Sequence, residues 1–92
     1  MRLRHIEVFH AIYTTGSITN AAKLLHVSQP SVSKVLSHAE LQLGFKLFER
    51  IRGRLIPTTE ANMLFGEVDK IYKQMRTVNN AADNIRHSGY GS

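Results

Sequence analysis

The stretch Val27-Ser28-Gln29-Pro30-Ser31-Val32-Ser33-Lys34-Val35-Leu36-Ser37-His38 decides the fold of this chain. Wound as a helix with about 100° between residues, it has one apolar face, which continues past the stretch and comprises Val32, Val35, Leu36, Ala39 and Leu43. The opposite face carries short polar side chains and one lysine, at Pro30, Ser33, Lys34, Ser37 and His38. A helix that needed only solubility would favour long Glu and Lys side chains there. Small hydroxyls allow a close approach to another surface, so the pattern predicts a helix that enters the groove of DNA.

Two further helices are predicted before this stretch. Helix 1 runs from Leu3 to Tyr13, with apolar residues at helical spacing at Leu3, Ile6, Phe9, Ile12 and Tyr13. Gly16 suits its C-cap and Ser17 suits the N-cap of helix 2, which runs from about Ile18 to Leu25. The small residues Ala21 and Ala22 allow another helix to cross helix 2 closely.

A tight turn at residues 26–27 joins helix 2 to helix 3. Ser28 is the preferred N-cap of helix 3 and Gln29 is the alternative, with Pro30 tolerated in the first turn because its missing N–H has no helical partner there. Gly44 marks the end of the helix. Residues 18–37 therefore form a predicted helix-turn-helix, a motif that places its second helix in the major groove.

The helical period stops after Gly44. Phe48–Ile51 and Arg54–Pro57, separated by Arg52-Gly53, predict a small β-hairpin, or wing. Only one acidic residue, Glu49, accompanies the four basic residues of this segment, which are Lys46, Arg50, Arg52 and Arg54.

A long fourth helix is predicted from residue 59 to residue 87, capped by Thr58. Its apolar residues follow at alternating intervals of four and three, which is a heptad seam: Leu64, Val68, Ile71, Met75, Val78, Ala82 and Ile85. At 1.5 Å per residue the helix is about 43 Å long, too long to bury its whole seam on a domain of this size. We therefore expect a homodimer formed by this helix; packing of the seam within one chain is the alternative.

Composition and charge favour an anionic partner. Twelve Lys and Arg against seven Asp and Glu give the 92 residues a net charge of +5, which suits nucleic acid or an acidic membrane surface. The absence of cysteine excludes disulfides and thiolate metal sites, and fits a reducing cytoplasm. No apolar run reaches the length of a membrane span, so we expect no membrane insertion.

The sequence gives no sign of catalysis. The five histidines form no close i, i+4 pair and no acidic cluster joins them. A Gly-rich phosphate loop and a nucleophile–base arrangement are both missing. We therefore expect no catalytic residues, no metal, no cofactor and no enzymatic activity.

Candidate DNA contacts fall into three groups. The candidate base-reading residues are Gln29, Pro30, Ser31, Ser33 and Lys34, of which Gln29 can pair bidentately with adenine and Lys34 can reach a guanine or a phosphate. Arg52 and Arg54 suit the narrow, electronegative minor groove. The candidate phosphate contacts are Ser17, Asn20, Lys23, Ser28, Ser37, His38, Arg50 and Thr58.

Simpler interpretations exist for these residues. The segment 28–30 can be ordinary capping chemistry, and Arg52 and Arg54 can belong to a solvated turn. The chain as a whole can also be a protein-interaction module, a small helical dimer that binds an acidic partner. RNA binding is disfavoured because no aromatic stacking platform is visible; the three candidates, Phe9, Phe48 and Phe65, lie on apolar stripes.

Four blocks of sequence together resemble the LysR-type transcriptional regulators. They are Leu3–Phe9, Gly16–Ala22, Ser28–Ser33 and Leu47–Arg50, and the resemblance covers residues 1 to about 85. It implies a mainly α fold, with a winged helix-turn-helix domain at residues 1–58 and a linker helix at 59–87 that dimerises antiparallel with its mate. It also implies a flexible tail at 88–92 and a cytoplasmic DNA-binding protein.

The resemblance extends to partners and to single residues. Full-length members carry a C-terminal domain, absent from this chain, that senses a small-molecule effector, and they usually form tetramers. Gln29 to Lys34 match the base-reading helix, Arg52 and Arg54 match the wing, and Thr58 matches a helix-capping threonine near phosphate. Lys34 stands where many members have Arg, and Ala61 where many have Gly.

Two segments point to a subgroup of the family. Ile56–Thr58 and Phe65–Val68 resemble members tied to amino-acid or opine metabolism. The resemblance thus implies control of amino-acid metabolism genes.

Overall fold

Six elements make up the computed structural model, which describes residues 1–88. In chain order they are α1 (Leu3–Thr15), α2 (Ile18–Leu25), α3 (Gln29–Leu43), β1 (Phe48–Ile51), β2 (Arg54–Pro57) and α4 (Thr59–His87). The predicted mainly α winged helix-turn-helix fold is therefore confirmed. Of the tail predicted at 88–92, Ser88 is the C-cap of α4 and the rest lies outside the described residues. Among the described helices, none combines the length and the apolar character that crossing a bilayer requires.

Helix α1 lies at the centre of the fold, with α2, α3 and α4 packed around it. Its predicted stripe holds in the middle, where Phe9 and Ile12 are almost completely buried. The stripe is wrong at its start, because Leu3 is 61% exposed. Val8 and Ala11, which the stripe leaves out, are buried as well. A helix enclosed by three others buries more than one face, and a single stripe does not describe it.

The helices of the helix-turn-helix are capped by local hydrogen bonds that the sequence predicts. Gly16 adopts the left-handed conformation (φ +80°) at the end of α1, and Ser17 Oγ accepts the backbone N–H of Asn20 at 2.9 Å. His26 is also left-handed (φ +56°), and its backbone reverses the chain between α2 and α3. Ser28 Oγ accepts the Ser31 N–H at 3.3 Å, so Ser28, and not Gln29, caps α3.

The wing is a two-stranded antiparallel hairpin. Phe48 pairs with Pro57 and Ile51 pairs with Arg54, which leaves a two-residue turn. Both turn residues have positive φ, +52° at Arg52 and +76° at Gly53. Positive φ at both positions is the signature of a type I′ turn, whose twist matches that of the flanking strands. An arginine in this conformation costs about 1–2 kcal/mol, which the pairing of the strands must offset.

Helix α4 begins inside the domain and continues beyond it. Thr58 Oγ1 accepts the Ala61 N–H at 3.1 Å, and Ala61 is completely buried. The first half of α4 packs against α1, where the rings of Tyr13 and Phe65 stack at 3.8 Å. The molecule is 53 Å long but only 25 Å and 19 Å in its other dimensions, because the second half of α4 extends away from the core.

A polar group joins α1 to α4 where α4 leaves the core. His10 Nε2 lies 2.8 Å from Asp69 Oδ1, and the His10 ring stacks on Tyr72 with 3.7 Å between centroids. Lys73 Nζ reaches the other carboxylate oxygen of Asp69 at 2.9 Å. The hydrogen bond to Lys73, and then that to His10, lowers the pKa of Asp69. The exit direction of α4 is therefore held by hydrogen bonds and ring stacking as well as by apolar contacts.

Candidate nucleic-acid interface

The first two turns of α3 expose every candidate base-reading residue. Gln29, Pro30, Ser31, Ser33 and Lys34 are all exposed, whereas Val32, in the middle of the set, is completely buried. The buried valine fixes the rotation of the helix, because its side chain has to point into the core. The small polar side chains consequently face solvent together, as the sequence predicts.

The residues that cap the start of α3 can also bind a ligand. The hydroxyls of Ser28 and Ser31 lie 2.8 Å apart and form one hydrogen bond, in addition to the cap between Ser28 Oγ and the Ser31 N–H. That bond uses one of the two hydroxyl protons. One proton remains for an acceptor on a ligand, so the capping role of Ser28 leaves a donor at this surface.

A cleft of about 520 Å³ separates the start of α2 from the wing, and we call it the wing cleft. Its polar lining comes from three elements: Ser17 and Thr19 from the start of α2, Gln29 from α3, and Arg50 and Arg54 from the wing. Four of these five residues were predicted DNA contacts, from widely separated parts of the chain. The tertiary structure brings them into one concave surface.

Gln29 stands at the boundary between two depressions. A second cleft, of about 630 Å³, lies on its other side and is lined by Lys23, His26 and Ser28 as well as by Gln29. Thr19 borders both clefts and was missed from the sequence. The signal for it was its place beside the N-cap Ser17, in the exposed first turn that also holds Asn20.

Within the described part of the chain, the arginines of the wing are free of carboxylate partners. Arg50, Arg52 and Arg54 are all exposed, and none of them takes part in the ion pairs found among residues 1–88. The same holds for Lys23 and Lys34. This face of the protein therefore carries positive charge that a polyanion can neutralise.

Four of the predicted phosphate contacts lie apart from these clefts or are already engaged. Asn20 is exposed in the first turn of α2 but lines neither cleft. Ser37 and His38 are exposed on α3 but line other depressions, and the one beside His38 also includes Arg2 and His5. The Thr58 hydroxyl donates to the Lys46 carbonyl at 2.7 Å and accepts from Ala61. At the start of α4, the backbone N–H groups of the first turn are thus the better donors for an anion.

His5 is a structural residue. It is 7% exposed, and its Nδ1 accepts the backbone N–H of Arg2 at 3.2 Å. Burial, together with the nearby positive N-terminus and Arg2, lowers the pKa of His5. No cluster of three or more His, Asp or Glu side chains suited to a metal ion occurs in the described part of the chain.

Comparison with known proteins gives the family. Residues 3–62 match the model of the bacterial regulatory helix-turn-helix proteins of the lysR family. The chain belongs to the LysR family. It is 79% identical over its full 92 residues to the HTH-type transcriptional regulator DgcR of a Pseudoalteromonas species, and 48% identical over 91 residues to the transcriptional activator protein LysR of Escherichia coli. It spans 32% and 29% of the lengths of these two relatives.

The LysR-family chain is also similar to a protein whose structure was solved in complex with DNA. The structure is the complex of the BenM DNA-binding domain with catB site 1 DNA, and the similarity has a TM-score of 0.80 at 28% sequence identity. It covers 95% of this chain and 98% of the BenM chain. The winged helix-turn-helix and the long helix after it are thus the DNA-binding part of a LysR-type transcriptional regulator.

The heptad seam of this LysR-family chain is divided by the core. Val68 is only 3% exposed and Leu64 is half-buried, because both pack inside their own chain. Val68 therefore has almost no surface left for a partner, and Leu64 keeps only part of its surface, so the role of these two residues in a dimer stays a prediction. The seam residues further along are mostly uncovered: Ile71 is 43%, Val78 65% and Ile85 61% exposed. Ala82 is exposed as well, and Met75 is half-buried.

Proposed function

We propose that this chain reads a dyad-symmetric DNA site as a homodimer, with α3 in the major groove and the wing in the adjacent minor groove. The observation that carries the proposal is the wing cleft. It unites the start of a capped helix, the amide of Gln29 and two arginines, Arg50 and Arg54, that have no carboxylate partner among residues 1–88. A phosphate backbone that enters the cleft meets backbone N–H groups and the guanidinium group of Arg50 together.

Each group of residues has a distinct role in this proposal. Gln29 pairs with adenine, Pro30 lies against a thymine methyl, and Ser31 and Ser33 donate to base edges or accept from them. Lys34 binds a guanine or a neighbouring phosphate. Arg52 and Arg54 enter the minor groove, and the remaining contacts go to phosphates from Ser17, Thr19, Asn20, Lys23, Ser28, Ser37, His38, Arg50 and the start of α4 after Thr58.

The dimer follows from the uncovered part of α4. Residues 71–85 span about 21 Å of helix and present apolar side chains at heptad spacing, which a second copy can cover. A dimer places two copies of α3 on one face of the duplex, so the half-sites are expected to lie about one helical turn or more apart.

The longer proteins to which this chain is similar suggest what accompanies it. We place the protein on bacterial DNA in the cytoplasm, followed by a C-terminal domain that binds a small-molecule effector and supports a tetramer. The segments Ile56–Thr58 and Phe65–Val68 favour target genes of amino-acid metabolism. These roles belong to the complete regulator, of which the chain is the DNA-binding part.

The test is selection of binding sites from a randomised duplex pool by the 92-residue chain. The expected result is one enriched motif with two-fold symmetry. Footprinting of that motif should show major-groove contacts in each half and minor-groove contacts beside them. Enrichment without any motif would refute base reading. Failure to bind any duplex even at low salt would favour an acidic protein partner.

A further inference from the structure

Two side chains hold the base of the wing, Glu40 in α3 and Thr58 at the N-cap of α4. Glu40 of α3 accepts the backbone N–H of Leu47 at 2.6 Å and that of Phe48 at 3.4 Å, both with Oε2. From the other side, Thr58 donates its hydroxyl to the Lys46 carbonyl at 2.7 Å and its N–H to the Leu47 carbonyl at 3.0 Å. The segment 46–48, where the wing begins, is thus tied to α3 and to α4.

The bond to Glu40 is the one that links the two elements proposed to touch DNA. The Glu40 side chain is 13% exposed and points into the protein, while Gln29 faces solvent three turns earlier on the same helix. Lys46 Nζ lies 4.0 Å from the second carboxylate oxygen. A carboxylate that accepts backbone N–H groups forms stronger hydrogen bonds than a neutral acceptor does. Leu47 is completely buried, so removal of the carboxylate takes away the hydrogen-bond acceptor of a buried N–H.

We propose that Glu40 is a positioning residue for DNA recognition, which sets the angle between the wing and α3. This rests on the proposed function, because it assumes that Arg52 and Arg54 enter the minor groove while Gln29 reads the major groove. Glu40 itself touches no DNA. Its carboxylate transmits the orientation of α3 to the hairpin through the N–H groups of Leu47 and Phe48.

The angle between the wing and α3 is important because the hairpin is long. The strand from Phe48 to the turn covers four residues, or about 13 Å. A tilt of about 10° at the base therefore moves the tip by about 2 Å, which is enough to break a hydrogen bond whose normal length is about 2.9 Å. A small change at Glu40 consequently displaces Arg52 from the minor groove without any change at the surface of α3.

The experiment is a double-mutant cycle on the duplex selected by the wild-type chain. Glu40→Ala and Glu40→Gln are each made alone and in a chain that already carries Arg52→Ala and Arg54→Ala. Alone, Glu40→Ala should weaken binding about tenfold, and Glu40→Gln, which keeps one acceptor oxygen, should weaken it less. Minor-groove protection should fade in hydroxyl-radical footprints, while protection of guanine N7 from dimethyl sulfate in the major groove persists. In the chain without Arg52 and Arg54, the Glu40 substitutions should have almost no further effect.

Two controls separate positioning from stability. Glu49→Ala removes the exposed wing carboxylate and should not weaken binding. All affinities are measured at temperatures below the onset of thermal unfolding of each variant. If Glu40→Ala does not fold, Glu40→Gln replaces it in the double-mutant cycle. Equal losses of affinity with and without the wing arginines would overturn the positioning role. An Arg52→Ala, Arg54→Ala chain that binds as well as the wild type would instead overturn the minor-groove role of the wing, on which the inference rests.

Discussion

Replacing Val78 by Asp tests whether the exposed seam of α4 is a dimer interface. Val78 is 65% exposed in the single chain, so a partner can cover about two thirds of the side chain. Since complete burial of a valine contributes about 1.5–3 kcal/mol, that cover is worth about 1–2 kcal/mol per copy. Two-fold symmetry doubles the loss to about 2–4 kcal/mol per dimer, and the desolvation of two carboxylates adds to it.

At 1.4 kcal/mol for each factor of ten, the Kd of the dimer should rise at least about 30-fold in Val78→Asp. Sedimentation equilibrium over a range of protein concentrations measures the change. The matched control is Asn79→Asp, which introduces the same charge at the neighbouring exposed position, outside the seam, and should leave the dimer almost intact. An unchanged Kd in Val78→Asp would refute the proposed interface.

Val68→Ala tests a seam residue that is buried within its own chain. Because Val68 is 3% exposed within its own chain, the substitution should reduce the free energy of unfolding by about 2 kcal/mol. The effect should appear in thermal melts at dilutions where the protein is monomeric, whereas Val78→Asp should leave the melting temperature of the monomer unchanged. A lower monomer melting temperature in Val78→Asp would mean that the residue packs inside the fold.

Three further predictions concern recognition and pH. Gln29→Ala should cost about 1–3 kcal/mol on the selected duplex and relax the preference at one base, and an equal loss on random duplex would contradict base reading. Arg52→Ala should weaken binding and reduce the slope of log affinity against log salt by about one, as measured by fluorescence anisotropy; an unchanged slope would mean that Arg52 is solvated. Acidification should destabilise the fold in two steps. Urea unfolding at a series of pH values measures them. Burial lowers the pKa of His5, and the hydrogen bond to Lys73 lowers that of Asp69, so the unfolded chain takes up both protons first and the free energy of unfolding falls below pH 6.5 and again below pH 3.8. Asp69→Asn should remove the second step, and its persistence would assign that step to another carboxyl group.

Most of the fold was predictable because its signals are local. Ser17 and Ser28 each cap the helix that starts directly after them, and Gly16 ends α1 in the left-handed conformation. These interactions lie within four residues along the chain, so a single sequence contains both partners. The exposed polar face of α3 was predictable for the same reason, since helical periodicity alone separates Val32 from Ser31 and Ser33.

The site was predictable as residue types but not as a surface. Gln29, Arg50 and Arg54 were identified one by one, whereas the wing cleft that unites them depends on how the hairpin packs beside α2. Thr19 was missed although it lies in the exposed first turn of α2, because its position between two clefts depends on the packing of distant elements.

The sequence by itself determined which residues share a face; the tertiary structure decided what covers that face. Val68 and Val78 belong to the same heptad repeat. Val68 is buried and Val78 is exposed, because only the first half of α4 packs against α1. Glu40 occupies an ordinary helical position, and its role appears only when the N–H groups of Leu47 and Phe48 are brought to its carboxylate. The physical reason is common to both. Periodicity fixes the direction of a side chain from the local backbone, whereas burial and hydrogen bonding depend on atoms supplied by distant parts of the chain.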